Sequence, residues 1–198
     1  MKLFSRRSVL AAGPVLALGA LAPLGRGAQV KPSSPALEDK IEEMKKELKK
    51  HANERAMVAK NLEAFDTLDY VVFSNQQWVR LHESHSLDVI VNWPDGHHTN
   101  GIDRHIEDLK ALFVYAPDTR IKVHPIKFGY DDLTCVTGIM EGTFTKPMPL
   151  GNDKFIQPTG KAFHLPMCTV GHWKNGVMIE EWLFWDGSTY MRQMGIGG

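Results

Sequence analysis

The sequence carries no surplus of charge. Its 198 residues hold 23 lysines and arginines against 23 aspartates and glutamates, so no overall field steers the chain to nucleic acid or to an anionic lipid surface. Cysteine is scarce. Cys135 and Cys168 are the two present, too few for a disulfide scaffold and without the spacing of a metal knuckle. Long apolar runs are missing as well. Residues 9–24 are weakly apolar, rich in alanine and glycine, and shorter than the roughly 20 residues that span a bilayer comfortably. There is no internal repeat and no low-complexity tract. What is there is enough chain for one domain with a sizeable core, and nine histidines, which keep acid–base chemistry open.

The weakly apolar run sits behind Ser5-Arg6-Arg7-Ser8-Val9-Leu10, which looks like a twin-arginine export signal. Residues 1–28 are therefore set apart as a signal peptide. Ala20-Leu21-Ala22 has the small-x-small form, but Pro23 obstructs a cut there, so cleavage is expected near Gly27 or Ala28. An uncleaved signal held in the membrane is the alternative. The expected location is periplasmic or secreted, where a Cys135–Cys168 bond is permitted but not implied.

Residues 29–60 read as a Pro/Ser linker and a charged amphipathic helix. Leu37, Ile41, Met44 and Leu48, then Val58, Leu62 and Phe65, step by fours and threes along one helix face, with His51 and Arg55 interrupting the stripe. That helix either packs on its own domain or serves as a dimerisation arm. The domain proper takes residues 61–198. A helical pattern runs on to Trp78, and a first strand at 89–93 ends at Pro94-Asp95-Gly96, a turn in which Pro fixes φ and Gly allows φ > 0. A helix is expected over 102–115, stopped before Pro117. Longer β segments follow at 120–130, 133–145, 162–173 and 177–186, with a Pro- and Gly-rich loop over 146–160. Helices first and antiparallel strands after argue for an α+β domain with the helices gathered on one face of a curved sheet.

The hairpin at Trp173-Lys174-Asn175-Gly176-Val177 has two registers. A two-residue Asn-Gly turn puts Asp186 opposite Leu165. A three-residue turn puts His164 opposite Asp186 and Cys168 opposite Trp182, and is preferred because it gives the carboxylate a polar partner. Alternation then places His164, Cys168, His172, Trp182, Phe184 and Asp186 on one face, and Leu165, Met167, Glu181, Leu183 and Trp185 on the other.

Trp173-x-x-Gly176-x-x-x-Glu180-Glu181-Trp182-x-x-x-Asp186 followed by Gln193-x-Gly195 resembles the SnoaL-like polyketide cyclases and the ester cyclase branch of the NTF2-like superfamily. Trp93-Pro94-Asp95-Gly96-His97-His98-Thr99, Pro158-Thr159-Gly160-Lys161 and the helix His105-Ile106-Glu107-Asp108-Leu109-Lys110 strengthen the likeness, which covers about residues 61–195. It implies a cone-shaped α+β fold, in which a strongly bent antiparallel sheet wraps a pocket roofed by N-terminal helices. It also implies a homodimer formed through the outer face of the sheet. The chemistry implied is ring closure by aldol condensation with no metal or organic cofactor. An aspartate late in the last long strand serves as acid/base there, a role that Asp186 matches, helped by a histidine on the neighbouring strand, which His164 matches through the preferred register. A carboxylate among Trp182, Phe184 and Trp185 suits that task, because desolvation raises its affinity for protons.

Each candidate also has a plainer reading. Asp186 could cap a helix starting at Ser188, and His164 could be a satisfied core histidine. Trp93 and His97 stand where such a fold opens its pocket, and with Trp182, Phe184 and His82 they are the candidate substrate contacts. His82 and His85, at a helix end, either line the pocket or cap carbonyls. His97-His98 is a poor metal pair, since adjacent residues on an extended chain point apart, and no metal ligands are expected. Glu180 and Glu181 alternate faces and cannot act as a carboxylate pair. The function expected is an exported, dimeric enzyme that removes a proton beside the carbonyl of a small hydrophobic molecule. The alternative is a non-catalytic small-molecule-binding protein on the same fold.

Overall fold

The computed structural model describes residues 34–197; the export signal and its cleavage site lie outside the described residues. The chain divides into two units, Met1–Lys40 and Ile41–Gly198, and the second holds the sheet and the site described below. The first helix, α1, runs Pro35–Thr67 without a break. Its apolar stripe splits in function. Ile41, Met44 and Leu48 are 42, 60 and 67% exposed, whereas Phe65 is buried in the core together with Leu68 and Val72 just beyond the helix. The helix then passes into a π-helical turn, Leu68–Phe73, and a 3-10 helix, Trp78–Glu83, where the pattern alone predicted helix to Trp78.

The second long helix, α2, spans Ile102–Tyr115 as expected. It starts at Gly101, whose φ of 89° and ψ of 144° belong to a region essentially reserved for glycine. Its apolar face and the end of α1 cover one side of a sheet ordered β2-β1-β9-β8-β5-β3. The ranges are β1 His85–Asn92, β2 His98–Asn100, β3 Arg120–Ile121, β4 Lys127–Tyr130, β5 Leu133–Thr143, β8 Ala162–Lys174 and β9 Val177–Trp185. β4 also pairs with β5. The predicted strand over 120–130 is divided, because Pro125 sits in the gap and cannot donate to a ladder. The predicted loop over 146–160 contains a small hairpin of its own, β6 Met148–Gly151 with β7 Lys154–Ile156. Every ladder is antiparallel except β1 with β9, which pair in parallel.

The preferred hairpin register is not the one adopted. Asn175 and Gly176 both have positive φ, 53° and 84°, as a two-residue type I′ turn demands, and Lys174 pairs with Val177. A bulge between His172 and Trp173 then shifts the ladder by one, so that His172 faces Glu180 and Met167 faces Trp185. The bulge restores the expected division of faces, but His164 does not meet Asp186. The inner face of β8 and β9 carries Met167, Thr169, Glu181, Leu183 and Trp185, all lining one cavity. Trp182 and Phe184 point to the outer face, opposite Val170 and Cys168.

Candidate functional site

The cavity under α2 has a volume of about 60 Å³, room for a few waters before any side chain moves. Apolar side chains make most of its wall, and Met140 and Met167 among them are flexible enough to yield to a ligand. Four ionisable groups line it: Asp69, His85, His105 and Glu181. Each comes from a different element. Asp69 is turned inward by the π-helical turn, a distortion frequent at functional sites. His85 opens β1. His105 lies one turn into α2, with its N–H donating to the Gly101 carbonyl, on the same face as Ile102 and Leu109. Glu181 is the middle of β9.

The three groups on the sheet and α2 face one another. Glu181 Oε1 is 3.0 Å from His105 Nε2 and 3.7 Å from His85 Nε2. The His85 and His105 rings are 5.2 Å apart and tilted by 46°. Burial alone would push the Glu181 carboxyl up, but the His105 and His85 rings beside it outweigh that and hold it well below the usual carboxylate range. Asp69 moves the other way. Its burial raises it, the nearby Glu181 charge adds to the rise, and the hydrogen bond from His124 opposes both without cancelling them.

Behind Asp69 stands a relay that reaches the surface. His124 Nε2 is 2.8 Å from Asp69 Oδ2, and His124 Nδ1 is 2.8 Å from Asp66 Oδ1. Asp66 is in turn paired with the Lys127 ammonium. Tyr70 stacks on the His124 ring at 4.5 Å. Burial would lower the His124 pKa, but the two carboxylates prevail and raise it. A ring bonded through both nitrogens to carboxylates is held as a double donor.

The residues singled out from the sequence lie mostly elsewhere. Asp186 is exposed and caps the short helix α3, Gly187–Gln193, accepting hydrogen bonds from the Thr189 N–H and hydroxyl. Those bonds hold its carboxyl below the usual range, as suits a cap rather than a proton acceptor. His164 is exposed on β8, 3.3 Å from Glu141, with its backbone bonded to Gln193. His97 is exposed beside Asp95, and His82 is exposed with Nδ1 2.7 Å from the Val79 carbonyl. Trp182 and Phe184 are on the outer face. Of the residues singled out, Trp93 and His85 line the cavity; the Trp93 Nε1 donates to Thr99 and its ring is 6.1 Å from His105. Glu181, His105, Asp69 and His124 were not among the candidates. Three of them carried a legible signal: Glu181 shares the face of Leu183 and Trp185, His105 the face of Ile102 and Leu109, and Asp69 follows Phe65 by four. A charged group on an apolar face is either misplaced or buried for a purpose.

Residues 51–194 match the SnoaL-like polyketide cyclase family, well over half of the chain. The chain belongs to that family. The match begins ten residues before the segment that carries the quoted motifs, inside α1. Solved SnoaL-like and NTF2-like structures share the fold. One is a candidate SnoaL-like polyketide cyclase from Jannaschia sp. CCS1, 19% identical, with a TM-score of 0.62 over 72% of this chain and 96% of that one. Another is IdmH, a candidate polyketide cyclase from Streptomyces antibioticus, 19% identical, with a TM-score of 0.59 over 69% of this chain and 99% of that one. An NTF2-like protein from Burkholderia pseudomallei K96243 is 15% identical, with a TM-score of 0.55 over 68% of this chain and 97% of that one. No curated protein matches the sequence. The SnoaL-like domain is thus a mixed α+β fold whose curved sheet and helices enclose the cavity just described.

Proposed function

We propose that this SnoaL-like protein is an exported acid/base enzyme that removes a proton beside the carbonyl of a small hydrophobic molecule, as a cyclase or isomerase does. One observation carries the reading: Asp69 is buried in an apolar cavity, shifted toward proton affinity, and backed by His124. A base for carbon acids needs a pKa moved toward neutrality and a partner that fixes its orientation. Asp69 has both, and Asp186, capped and exposed, has neither. Export rests on Arg6-Arg7 and the weakly apolar stretch behind it; among the described residues no helix is long and apolar enough to cross a membrane. A homodimer through the outer face of the sheet completes the proposal, with Phe184 51% exposed there.

The test is deuterium exchange at the carbon next to the carbonyl, followed by NMR in heavy water over a panel of small hydrophobic ketones and β-keto esters. Asp69→Asn should lower the exchange rate by about 10²–10⁴-fold, the usual contribution of a positioned base, while Asp186→Asn leaves it within a few-fold. The reverse pattern would return the role to Asp186. A compound that binds tightly without exchange in the wild type would favour a binding protein on the same fold.

A further inference from the structure

Sharing the cavity with Asp69 is a second cluster with chemistry of its own. One nitrogen of His85, one of His105 and one carboxylate oxygen of Glu181 lie within 4.8 Å of one another. The three side chains are 1, 4 and 4% exposed. His85 Nε2, His105 Nδ1 and Glu181 Oε1 have no hydrogen-bond partner among the described residues. The 3.0 Å approach of His105 Nε2 to Glu181 Oε1 is thus close without the alignment of a hydrogen bond. Buried polar atoms left so are rare and costly.

We propose that His85, His105 and Glu181 bind one divalent transition-metal ion of the zinc, cobalt or iron(II) type. Two imidazoles and a carboxylate are a donor set that such ions accept, with the remaining positions open to water or substrate. Hard cations such as magnesium and calcium prefer all-oxygen sites. The tautomer of His85 supports the assignment. Ser84 Oγ lies 3.2 Å from the Leu81 carbonyl and 2.9 Å from His85 Nδ1. Its one proton goes to the carbonyl, so it accepts from the His85 Nδ1–H. A neutral ring held in that way presents the Nε2 lone pair 3.7 Å from a carboxylate oxygen, and the two repel unless a proton or a metal ion stands between them. An acceptor for the N–H of the far nitrogen, which fixes the tautomer, is the usual outer support of a metal-binding histidine. A metal bonded at about 2.1 Å to each ligand sets ligand atoms about 3.0–3.4 Å apart, so only a modest contraction of this cluster is needed. All three residues line the cavity, so the ion would supply a Lewis acid for a carbonyl oxygen there while Asp69 takes the neighbouring proton. That use rests on the function proposed above; the binding itself does not. It departs from the metal-free chemistry that the resemblance implied.

The experiment is a titration of Co²⁺ into chelator-treated protein without a histidine tag, followed by visible d–d absorption and by calorimetry. One equivalent should bind with a low-coordinate spectrum. Glu181→Gln and His105→Asn should weaken binding at least 100-fold, and Ser84→Ala, which keeps all three ligands, by about 10-fold. His51, 3.0 Å from Glu54 and 3.8 Å from Glu47 on exposed α1, is the rival surface chelate, and His51→Asn should change nothing. Absence of binding, or binding lost with His51 and kept in Glu181→Gln, overturns the site. Should Glu181→Gln fail to fold, Ser84→Ala decides. Asp69→Asn should bind the metal normally, so loss of proton exchange and loss of metal are read separately.

Discussion

At the scale of single residues the site is a set of charges that the fold has desolvated on purpose. Glu181 and Asp69 share one cavity and are driven in opposite directions, Glu181 toward the ionised form and Asp69 toward the protonated one. Two carboxylates with separated proton affinities are the usual sign of divided roles. His105 and His85 beside Glu181 and the burial of Asp69 make the difference, while His124, which narrows it, leaves its own mark on stability. Its folded pKa is raised by Asp69 and Asp66 against the opposing effect of burial. The unfolded value is about 6.5. The stability it contributes is therefore complete below about pH 6.5 and fades as pH rises through the higher folded value. Urea denaturation at pH 6 and pH 9 should show wild type more stable than His124→Gln at pH 6, with the gap narrowing at pH 9. The groups facing the ring are Asp66, Asp69, Tyr70 and, through Asp66, Lys127. A gap that widens with pH would contradict the sign.

At the scale of elements, short distortions do the positioning. The π-helical turn at Leu68–Phe73 carries Leu68, Asp69, Val72 and Phe73 on its buried side. Gly101 turns the chain into α2 and so sets where His105 points. A Cβ at Gly101 would meet only the Leu87 carbonyl oxygen at 3.7 Å, ordinary contact, so the cost of Gly101→Ala is backbone strain. We expect a loss of about 1–3 kcal/mol in urea denaturation; an unchanged midpoint would show that the backbone relaxes. These devices explain what the sequence did and did not disclose. α2 was legible to the residue, because its period and its proline stop agree. The division of faces on β9 was legible from alternation alone. The turn was not, since Lys-Asn-Gly is compatible with both loops, and the bulge at His172 has no local signature. That bulge decides which residues meet across the hairpin. Preference for a polar partner at Asp186 misled the register, because the helix α3 supplied that partner instead. The pairing of Asp69 was hidden because its partner, His124, lies 55 positions away in sequence.

At the scale of the whole molecule, the two faces of the sheet divide the work. The inner face closes the cavity, and the outer face keeps Phe184 half exposed beside Pro166, Ile139 and Pro125 in a shallow apolar depression. Such a surface suits a partner of like shape. On the proposed homodimer, Phe184→Asp should turn dimer into monomer in light scattering while proton exchange per chain survives. A monomeric wild type would remove the outer face from consideration.

The order of strands has a further consequence for how the molecule comes into being. β9 is the last strand in the chain, yet it sits between β1 and β8 in the middle of the sheet. Until it is synthesised, β1 has no parallel neighbour, β8 has an open edge, and His85 and His105 have no Glu181 to face. The cavity therefore cannot be assembled by degrees from the N-terminus. Closure must bring together segments that synthesis separates widely, a slow step of high contact order. Were the chain exported folded, as proposed, the translocon would inspect the placement of this one strand.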